Sequence, residues 1–432
     1  MTSVLLPRPT EAPLNAPVVR QLECGAIAIA EQIPVEAVNL NLWLDVGAAV
    51  EPDEIDGMAH FLEHMVFKGT PRLAMGEFEQ RIEARGAVTN AATSQDYTHY
   101  YFTCAPQDFA SLAPLQFDVV LNPSLDADAF DRERHVVLEE IRRSADNPRR
   151  RNFRRVSELA FETLPYRRPV LGRASTIAQL PVEAMREFHR TWYHPEALTV
   201  AVVGNLPVEE LLAIATESCE RALAGRPAVA RGQRRELGGE RPFERIERFE
   251  AADPGLQQAR LSLVWRVPGL NAIEQIYALD VLASVLGQGR TGRLVRRLRE
   301  ERGLVSGIGA GNLSYRMQGL FQVNAQLPAE NIEEVEAEIV RAIAEVRETP
   351  IDREHIDRVR KKVANRYIFG NERPSDRANL YGYSQTLTGG LEAAFGYTEA
   401  LQAISAEDLR EMAQRYLRDD AYGVVAVRPE SA

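Results

Sequence analysis

The chain contains an internal repeat, which restricts its possible folds more than any other feature of the sequence. The stretch VEAMREFHRTWYHPEALTVAVV, residues 182–203, aligns without a gap with AEDLREMAQRYLRDDAYGVVAV, residues 406–427, at an offset of 224 positions. DRERHVVLEEI, residues 131–141, aligns with DREHIDRVRKK, residues 352–362, at an offset of 221. Two matches at nearly the same offset predict two homologous halves of about 200 residues. Chance similarity between short helical stretches is the alternative.

A segment rich in Gly, Pro and Arg separates the two halves. Residues 221–247, RALAGRPAVARGQRRELGGERPFERIE, contain few large apolar side chains, which is typical of a linker. We therefore predict a first domain over 1–220, a linker over 221–247 and a second domain over 248–432. Strand-like runs such as VNLNLWLDVGA and ARLSLVWRV alternate with long amphipathic helices. This mixture predicts an α+β fold, with a mixed or antiparallel sheet flanked by helices in each half.

Charge and cysteine content argue against several other classes of protein. The chain has 51 Lys and Arg against 62 Asp and Glu, a formal net charge of -11, which argues against a general nucleic-acid binder. No run approaches about 18 apolar residues, so we expect no membrane span. The N-terminal MTSVLLPRPTEAPLNAP lacks the basic region of a secretory signal, and we expect a cytoplasmic location. The three cysteines form no C-x-x-C pair and predict reduced thiols.

The run HFLEHMVF, residues 60–67, places two of the chain's 7 histidines and a glutamate among apolar residues. Burying such groups without partners costs roughly 2–7 kcal/mol each, so we expect a compensating metal ion. In a buried helix that follows Gly57, His60, Glu63 and His64 share one face, and both imidazoles reach one Zn²⁺ at ~2.0–2.1 Å. Glu63 is better placed to accept a proton from a water at the metal than to be a ligand. A buried histidine pair satisfied by Glu63 alone is the alternative.

A catalytic zinc needs a third protein ligand, and DAFDRERHVVLEEIRR, residues 128–143, is the best source of one. On a helix, Glu133 and Glu140 share a face at i and i+7. Glu139 lies instead on a solvated face with ready ion-pair partners (Arg132, His135 and Arg142). We therefore choose Glu140 as the third ligand and Glu139 as a surface charge. Glu133, two turns away, is expected to orient either a ligand or the water.

H-x-x-E-H followed by the glutamate of ERHVVLEEI resembles the pitrilysin and mitochondrial processing peptidase family of zinc metallopeptidases. The resemblance runs essentially from end to end and includes NAATSQDYTHYYF, LPYRRPVLG and GRLVRRLREERGL. It implies a zinc-dependent endopeptidase that cleaves peptides or unfolded segments. By this resemblance His60, His64 and Glu140 match the zinc ligands, Glu63 matches the catalytic base, and Glu133 matches an auxiliary acidic residue.

The second copy of the repeat lacks the metal-binding residues. At the offsets above, Glu140 falls on Lys361, and the three residues of the motif fall on Ser284, Gly287 and Gln288. We therefore expect one Zn²⁺ per chain, held by the first half.

Resemblance to the family also implies where the substrate binds. The N-A-x-T strand of the family is an exposed sheet edge beside the zinc, and an extended peptide adds to it through main-chain hydrogen bonds. The matching positions here are Asn90, Ala91, Ala92 and Thr93. An ordinary aromatic-rich hairpin is the alternative interpretation of this segment.

In the family, a facing wall completes the site with an arginine and, seven positions on, a tyrosine, which stabilise the developing oxyanion. The matching stretch LREERGLVSG contains Arg299, but Ser306 stands where the tyrosine is expected, and Tyr315 is off register. This departure predicts a heterodimer with a related subunit that supplies the Arg–Tyr pair, and a weakly active homodimer is the fallback. A non-catalytic core or scaffold subunit of the same family is the alternative function.

The run PRRRNFRR, residues 148–155, is strongly basic. A solvated helix face is its ordinary interpretation, and attraction of acidic peptide segments is the alternative.

Overall fold

The chain forms two β-sheets, one in each half, and each is flanked by helices. The computed structural model describes residues 17–227, 229–235 and 237–430. Most of the N-terminal segment that carried the expectation of a cytoplasmic location, residues 1–16, lies outside this part. Among the helices of the described residues, none has both the length and the apolar composition that crossing a bilayer requires.

The strands of the first half are β1 (Val18–Gln21), β2 (Ile27–Gln32), β3 (Val38–Leu44), β4 (Val88–Thr93), β5 (Thr98–Cys104) and β6 (Leu198–Gly204). Those of the second half are β7 (Glu247–Asp253), β8 (Ala259–Pro268), β9 (Gly307–Ser314), β10 (Gln318–Leu327) and β11 (Gly423–Pro429).

The α-helices that precede the second sheet are α1 (Met58–Met65), α2 (Glu77–Glu83), α3 (Phe109–Leu121), α4 (Ala127–Asp146), α5 (Pro148–Ala160), α6 (Ala174–Ile177), α7 (Val182–Trp192) and α8 (Val208–Leu223). Those that follow are α9 (Ile273–Gly287), α10 (Ile332–Glu348), α11 (Arg353–Phe369), α12 (Pro374–Thr388), α13 (Glu392–Phe395), α14 (Tyr397–Ala403) and α15 (Ala406–Tyr416). A π-helical segment covers Val295–Glu301.

The five strands of the second sheet repeat the order of five of the six strands of the first, which confirms the α+β fold and the two homologous halves. The first has the order β1-β2-β6-β3-β5-β4 and the second β7-β11-β8-β10-β9. In each half one pair is parallel, β2 with β6 and β7 with β11, and the other pairs are antiparallel. The longer repeat corresponds to the helix–strand units α7–β6 and α15–β11. Strands β3 and β6 are buried along their whole length because helices cover both faces of the sheet.

Each half lends one helix to the sheet of the other half. Helix α5 packs on β8 and β11, and α12 packs on β3 and β6. The two helices occupy equivalent positions, since α5 follows α4 and α12 follows α11, the pair of helices matched by the shorter repeat. Val156, Ala160 and Phe161 of the first half share a buried cluster with Val264 and Val425 of the second.

Helix α12 forms the corresponding contact on the first sheet. Ala378 and Tyr381 bury their side chains against Ile29, Ala201 and Val203. Because burial of apolar area is the main stabilising contribution, neither sheet has a complete core without the other half of the chain.

The connection between the halves lies between the end of α8 at Leu223 and the start of β7 at Glu247. Arg231 and Arg234 of this connection both form ion pairs with Asp45, at 2.8 Å each, and Arg316 of the second half pairs with the same carboxylate at 2.5 Å. The connection is thus fixed to both halves, and the domain boundaries given above stay a prediction.

Candidate metal centre

The motif residues lie on α1, a short helix whose start is fixed by two neighbours. Gly57 precedes it with φ 92, a conformation that favours glycine, and a Cβ at this position would lie 2.7 Å from the Leu171 carbonyl oxygen. The buried carboxylate of Glu51 accepts hydrogen bonds from the backbone N–H groups of Gly57 and Ala59, at 2.8 and 2.7 Å. These donors would otherwise be unsatisfied at the helix start. Sequence reasoning did not find Glu51, because nothing local distinguishes it from the exposed acidic residues that follow it.

The structure brings His60, His64 and Glu140 together. One ligand atom from each lies within 4.8 Å of the other two. Glu140 Oε2 is 3.5 Å from His60 Nε2 and 3.6 Å from His64 Nε2. These separations are too long for hydrogen bonds. Ligands at ~2.0–2.1 Å from a tetrahedral ion lie about 3.3–3.5 Å apart, so the three donors fit a shared divalent cation such as Zn²⁺.

The environment of His60 keeps its imidazole in the form that binds a metal. Burial, together with the neighbouring His64, lowers the pKa of His60 to about 3, so the ring is neutral near neutral pH. Nδ1 of His60 is buried without a hydrogen-bond partner among the described residues, which leaves His64 as the histidine with an orienting contact.

Glu63 lines a cavity that also contains His60 and Glu140. Its Oε2 accepts a hydrogen bond from Thr93 Oγ1 at 2.5 Å, and this bond is made to β4, not to either histidine. Burial raises the pKa of Glu63, and the Thr93 hydrogen bond partly offsets that effect. A carboxylate held close to the donors, with a raised pKa, has the properties of a general base.

Glu133 contacts a candidate ligand rather than the open space. Its Oε1 is 2.9 Å from His64 Nδ1, and its Oε2 is 2.8 Å from Lys68 Nζ. Burial opposes ionisation, but the hydrogen bonds from His64 and Lys68 outweigh it and lower the pKa of Glu133. The resulting carboxylate fixes Nδ1 of His64 as a donor and points Nε2 toward Glu140. Of the two roles that the sequence left open, this contact corresponds to orienting a ligand.

The remaining glutamate of α4 lies on the surface. Glu139 forms ion pairs with Arg142 at 2.8 Å and with Arg143 at 3.1 Å, and His135 is exposed. The helical periodicity of the sequence places Glu139 and Glu140 on different faces of α4, and the two side chains also point to different partners in the structure.

Strand β4 is an edge strand next to the donors. It pairs with β5, and no second strand pairs with it among the described residues. Asn90 and Ala92 are exposed and alternate with the half-buried Ala91 and Thr93. Ala92 and Thr93 line a cavity of about 1010 Å³ that also contains His60, Glu63 and Glu140. The free edge thus opens onto the candidate metal centre.

Two family descriptions match most of the chain. Residues 26–174 match "Insulinase (Peptidase family M16)", and residues 179–363 match "Peptidase M16 inactive domain". The chain belongs to peptidase family M16. The resemblance drawn from the motifs is thereby confirmed.

Relatives from several bacteria align with this M16 chain over nearly its whole length. A protein called "Uncharacterized zinc protease" in Mycobacterium tuberculosis is 29% identical, covering 96% of this chain and 94% of its own. A protein of the same description in Bacillus subtilis is 24% identical, covering 94% and 96%. A putative M16-like peptidase from Alicyclobacillus acidocaldarius is 25% identical, with a TM-score of 0.85 over 97% of this chain and 99% of its own. A protease from Helicobacter pylori, 23% identical, shares the fold with a TM-score of 0.88 over 96% and 100%.

The described residues of the second half of this M16 chain form no equivalent centre. Helix α9 follows β8 as α1 follows β3, and it carries Ser284 and Gly287 where the first half carries His60 and Glu63. Within the described residues, the only cluster of metal-binding side chains is the one on α1 and α4.

The residues expected in the facing wall do not meet the metal centre of their own chain. Arg299 forms an ion pair with Glu300 at 2.6 Å and does not line the cavity. Ser306 donates a hydrogen bond to Gln258 at 2.6 Å. Tyr315, in contrast, lines the cavity and stacks on Tyr166 with ring centroids 4.3 Å apart. Its place follows from the pairing of β9 with β10, which sequence spacing does not give.

Proposed function

We propose that this chain is a zinc-dependent endopeptidase that cleaves peptides or unfolded segments. The observation that carries the proposal is the arrangement of three donors around one point, with Glu140 Oε2 at 3.5 and 3.6 Å from the two imidazoles. Glu63 lines the same cavity as His60 and Glu140. Relatives that are called zinc proteases align with 96% and 94% of the chain, which supports the same metal and reaction.

Zn²⁺ on His60, His64 and Glu140 would polarise the scissile carbonyl and acidify the attacking water. Glu63 accepts the proton that this water loses and passes it to the leaving amine. Thr93 holds the Glu63 carboxylate in place through its hydroxyl. The exposed edge of β4 offers main-chain donors and acceptors to an extended peptide. Such recognition tolerates varied side chains but requires an unfolded segment.

We further propose that the active form is a heterodimer with a related subunit. The Arg–Tyr pair that completes such sites is missing here, because Ser306 is too short to replace a tyrosine and Arg299 is turned toward Glu300. The test compares cleavage of one peptide by the chain alone and by its mixture with a paralogous subunit that carries the pair. We expect a large gain on mixing, and full activity of the isolated chain would refute the heterodimer.

Metal content and turnover test the enzymatic proposal directly. The purified chain should hold one zinc ion, and it should cleave a quenched fluorescent peptide when the partner is present. His64→Ala should lose both zinc and turnover, whereas Glu139→Gln, a surface carboxylate on α4, should keep both. A chain that binds no zinc and assembles normally would instead support the scaffold function.

A further inference from the structure

The cavity beside the metal centre has a strongly basic wall. Seven arginines line it: Arg149, Arg150, Arg151, Arg154, Arg155, Arg167 and Arg168. Apart from Glu63 and Glu140 of the metal centre, Glu158 is the only acidic residue among those that line the cavity. Five of the arginines come from α5, the helix that also packs on the second sheet.

Carboxylates of the protein neutralise only part of this charge. Arg151 and Arg155 share Asp253, at 2.8 and 3.9 Å. Arg167 and Arg168 share Asp53, at 3.2 and 2.5 Å, and Arg154 pairs with Glu158 at 2.8 Å. Five arginines thus share three carboxylates.

Arg149 and Arg150 have no ion-pair partner among the described residues. Both side chains are exposed at the first turn of α5. Burial, with a contribution from the charge of Arg149, lowers the pKa of the nearby Arg260, whose Nε is also without a hydrogen-bond partner in the described part. Like charges gathered without counter-charges repel one another, and an incoming anion relieves that repulsion.

We propose that this arginine wall binds acidic side chains of the substrate, so that peptides with Asp or Glu near the scissile bond are preferred. The inference rests on the proposed endopeptidase function and specifies its substrate class. Arginine is suited to the task because its planar fork binds a carboxylate through two parallel hydrogen bonds. A peptide is the expected anion, since the same cavity contains the β4 edge and Glu63.

The fold sets how far from the scissile bond the acidic side chains lie. Arg149 is nine positions after Glu140, and the extended residue Asn147 between α4 and α5 interrupts the helix on the way. Helical and extended rises together give a separation of at most roughly 17 Å. An extended peptide advances about 3.3–3.4 Å per residue. The unpaired arginines are therefore reached by side chains within about five residues of the scissile bond, on the side toward α5.

The test uses three quenched fluorescent peptides that differ only in carrying Glu, Gln or Lys at three positions on one side of the cleavage site, with a second set for the other side. We expect kcat/KM for the Glu peptide to exceed that for the Gln peptide by about tenfold at low salt. The advantage should shrink as ionic strength rises, because salt screens exposed charges. The Lys peptide should be the poorest substrate.

A charge-reversed pair of variants makes the test specific. Arg149→Glu with Arg150→Glu should abolish or invert the preference, and acidic residues are tolerated in the first turn of a helix. Arg142→Glu with Arg143→Glu changes the net charge by the same amount on α4, outside the cavity, and should keep the preference. The partner subunit is present in all assays.

Binding of the same peptides to the Glu63→Gln variant, followed by fluorescence anisotropy, separates the two proposals. Hydrolysis at equal kcat/KM for all three peptides would overturn the arginine inference and leave the endopeptidase proposal standing. Acid-selective binding without hydrolysis by the unmodified protein would overturn the endopeptidase proposal and support the arginine wall. Equal binding of all three peptides would overturn the inference in either case.

Discussion

Replacing Glu133 by Gln tests whether an orienting carboxylate contributes to metal binding. In the structure this carboxylate joins Nδ1 of His64 at 2.9 Å to Lys68 Nζ at 2.8 Å. Gln keeps an acceptor for the His64 N–H group but loses the negative charge. It also leaves the ammonium group of Lys68 without its counter-charge, close to the candidate metal centre.

The expected loss of zinc affinity follows from comparing the hydrogen bond that His64 makes to a charged Glu133 with the one it would make to a neutral Gln. A bond to a charged group contributes about 1.5–3 kcal/mol and one between neutral groups about 0.5–1.5 kcal/mol. The difference of about 1–1.5 kcal/mol corresponds to roughly a tenfold weaker zinc affinity. Glu133→Ala removes the contact altogether and should approach the upper end of the 10–100-fold range that is typical of such partners.

The assay is competition for zinc between the protein and a fluorescent chelator of known affinity, at neutral pH. Glu139→Gln is the matched control, because Glu139 lies on the same helix and pairs only with Arg142 and Arg143 on the surface. Adding Lys68→Met to Glu133→Gln should recover part of the lost affinity. If Glu133→Gln binds zinc within about twofold of the unmodified chain, the orienting role is refuted.

Three other changes have sharp expected outcomes. Glu63→Gln should keep zinc and lower kcat by at least about 10²–10⁴-fold, measured with metal content and peptide turnover on one sample, because an amide cannot accept the proton. Arg377 of the second half forms a 2.6 Å ion pair with the buried Glu31 of the first half. Arg377→Ala should lower the free energy of unfolding by about 3 kcal/mol in urea titrations, because Glu31 then stays buried with a hydrogen bond from Tyr381 but without its counter-charge. Glu51→Gln should cost about 1–3 kcal/mol in the same titration and weaken zinc binding, because one backbone N–H at the start of α1 then has no acceptor.

Two of these predictions have a simple outcome that would contradict them. Glu63→Gln that still cleaves at a normal rate would remove the general base from the scheme. Arg221→Ala is the control for Arg377→Ala. Arg221 pairs with the exposed Glu217 on the same helix, and such a pair contributes only about 0.3–0.5 kcal/mol. Equal effects of Arg377→Ala and Arg221→Ala would show that the buried pair does not stabilise the contact between the halves.

The sequence by itself determined the features that depend on local periodicity. The three motif residues fall on one face because a helix turns every 3.6 residues, whatever surrounds it. The same periodicity separates Glu140, which faces the centre, from Glu139, which faces solvent. The nearly equal offsets of the two repeats likewise predicted two homologous halves, since similar sequences form equivalent elements.

Only the tertiary structure decided which distant segments meet. The exchange of α5 and α12 between the sheets, the contact of Glu51 with the start of α1 and the place of Tyr315 in the cavity each join residues that no local pattern links. The arginine wall shows the same limit, because PRRRNFRR alone is equally compatible with a solvated helix face. Its position over the cavity arises from the packing of α5 across both halves. Such contacts follow from the burial of apolar area over the whole chain, whereas a sequence pattern reports only which neighbours share a face.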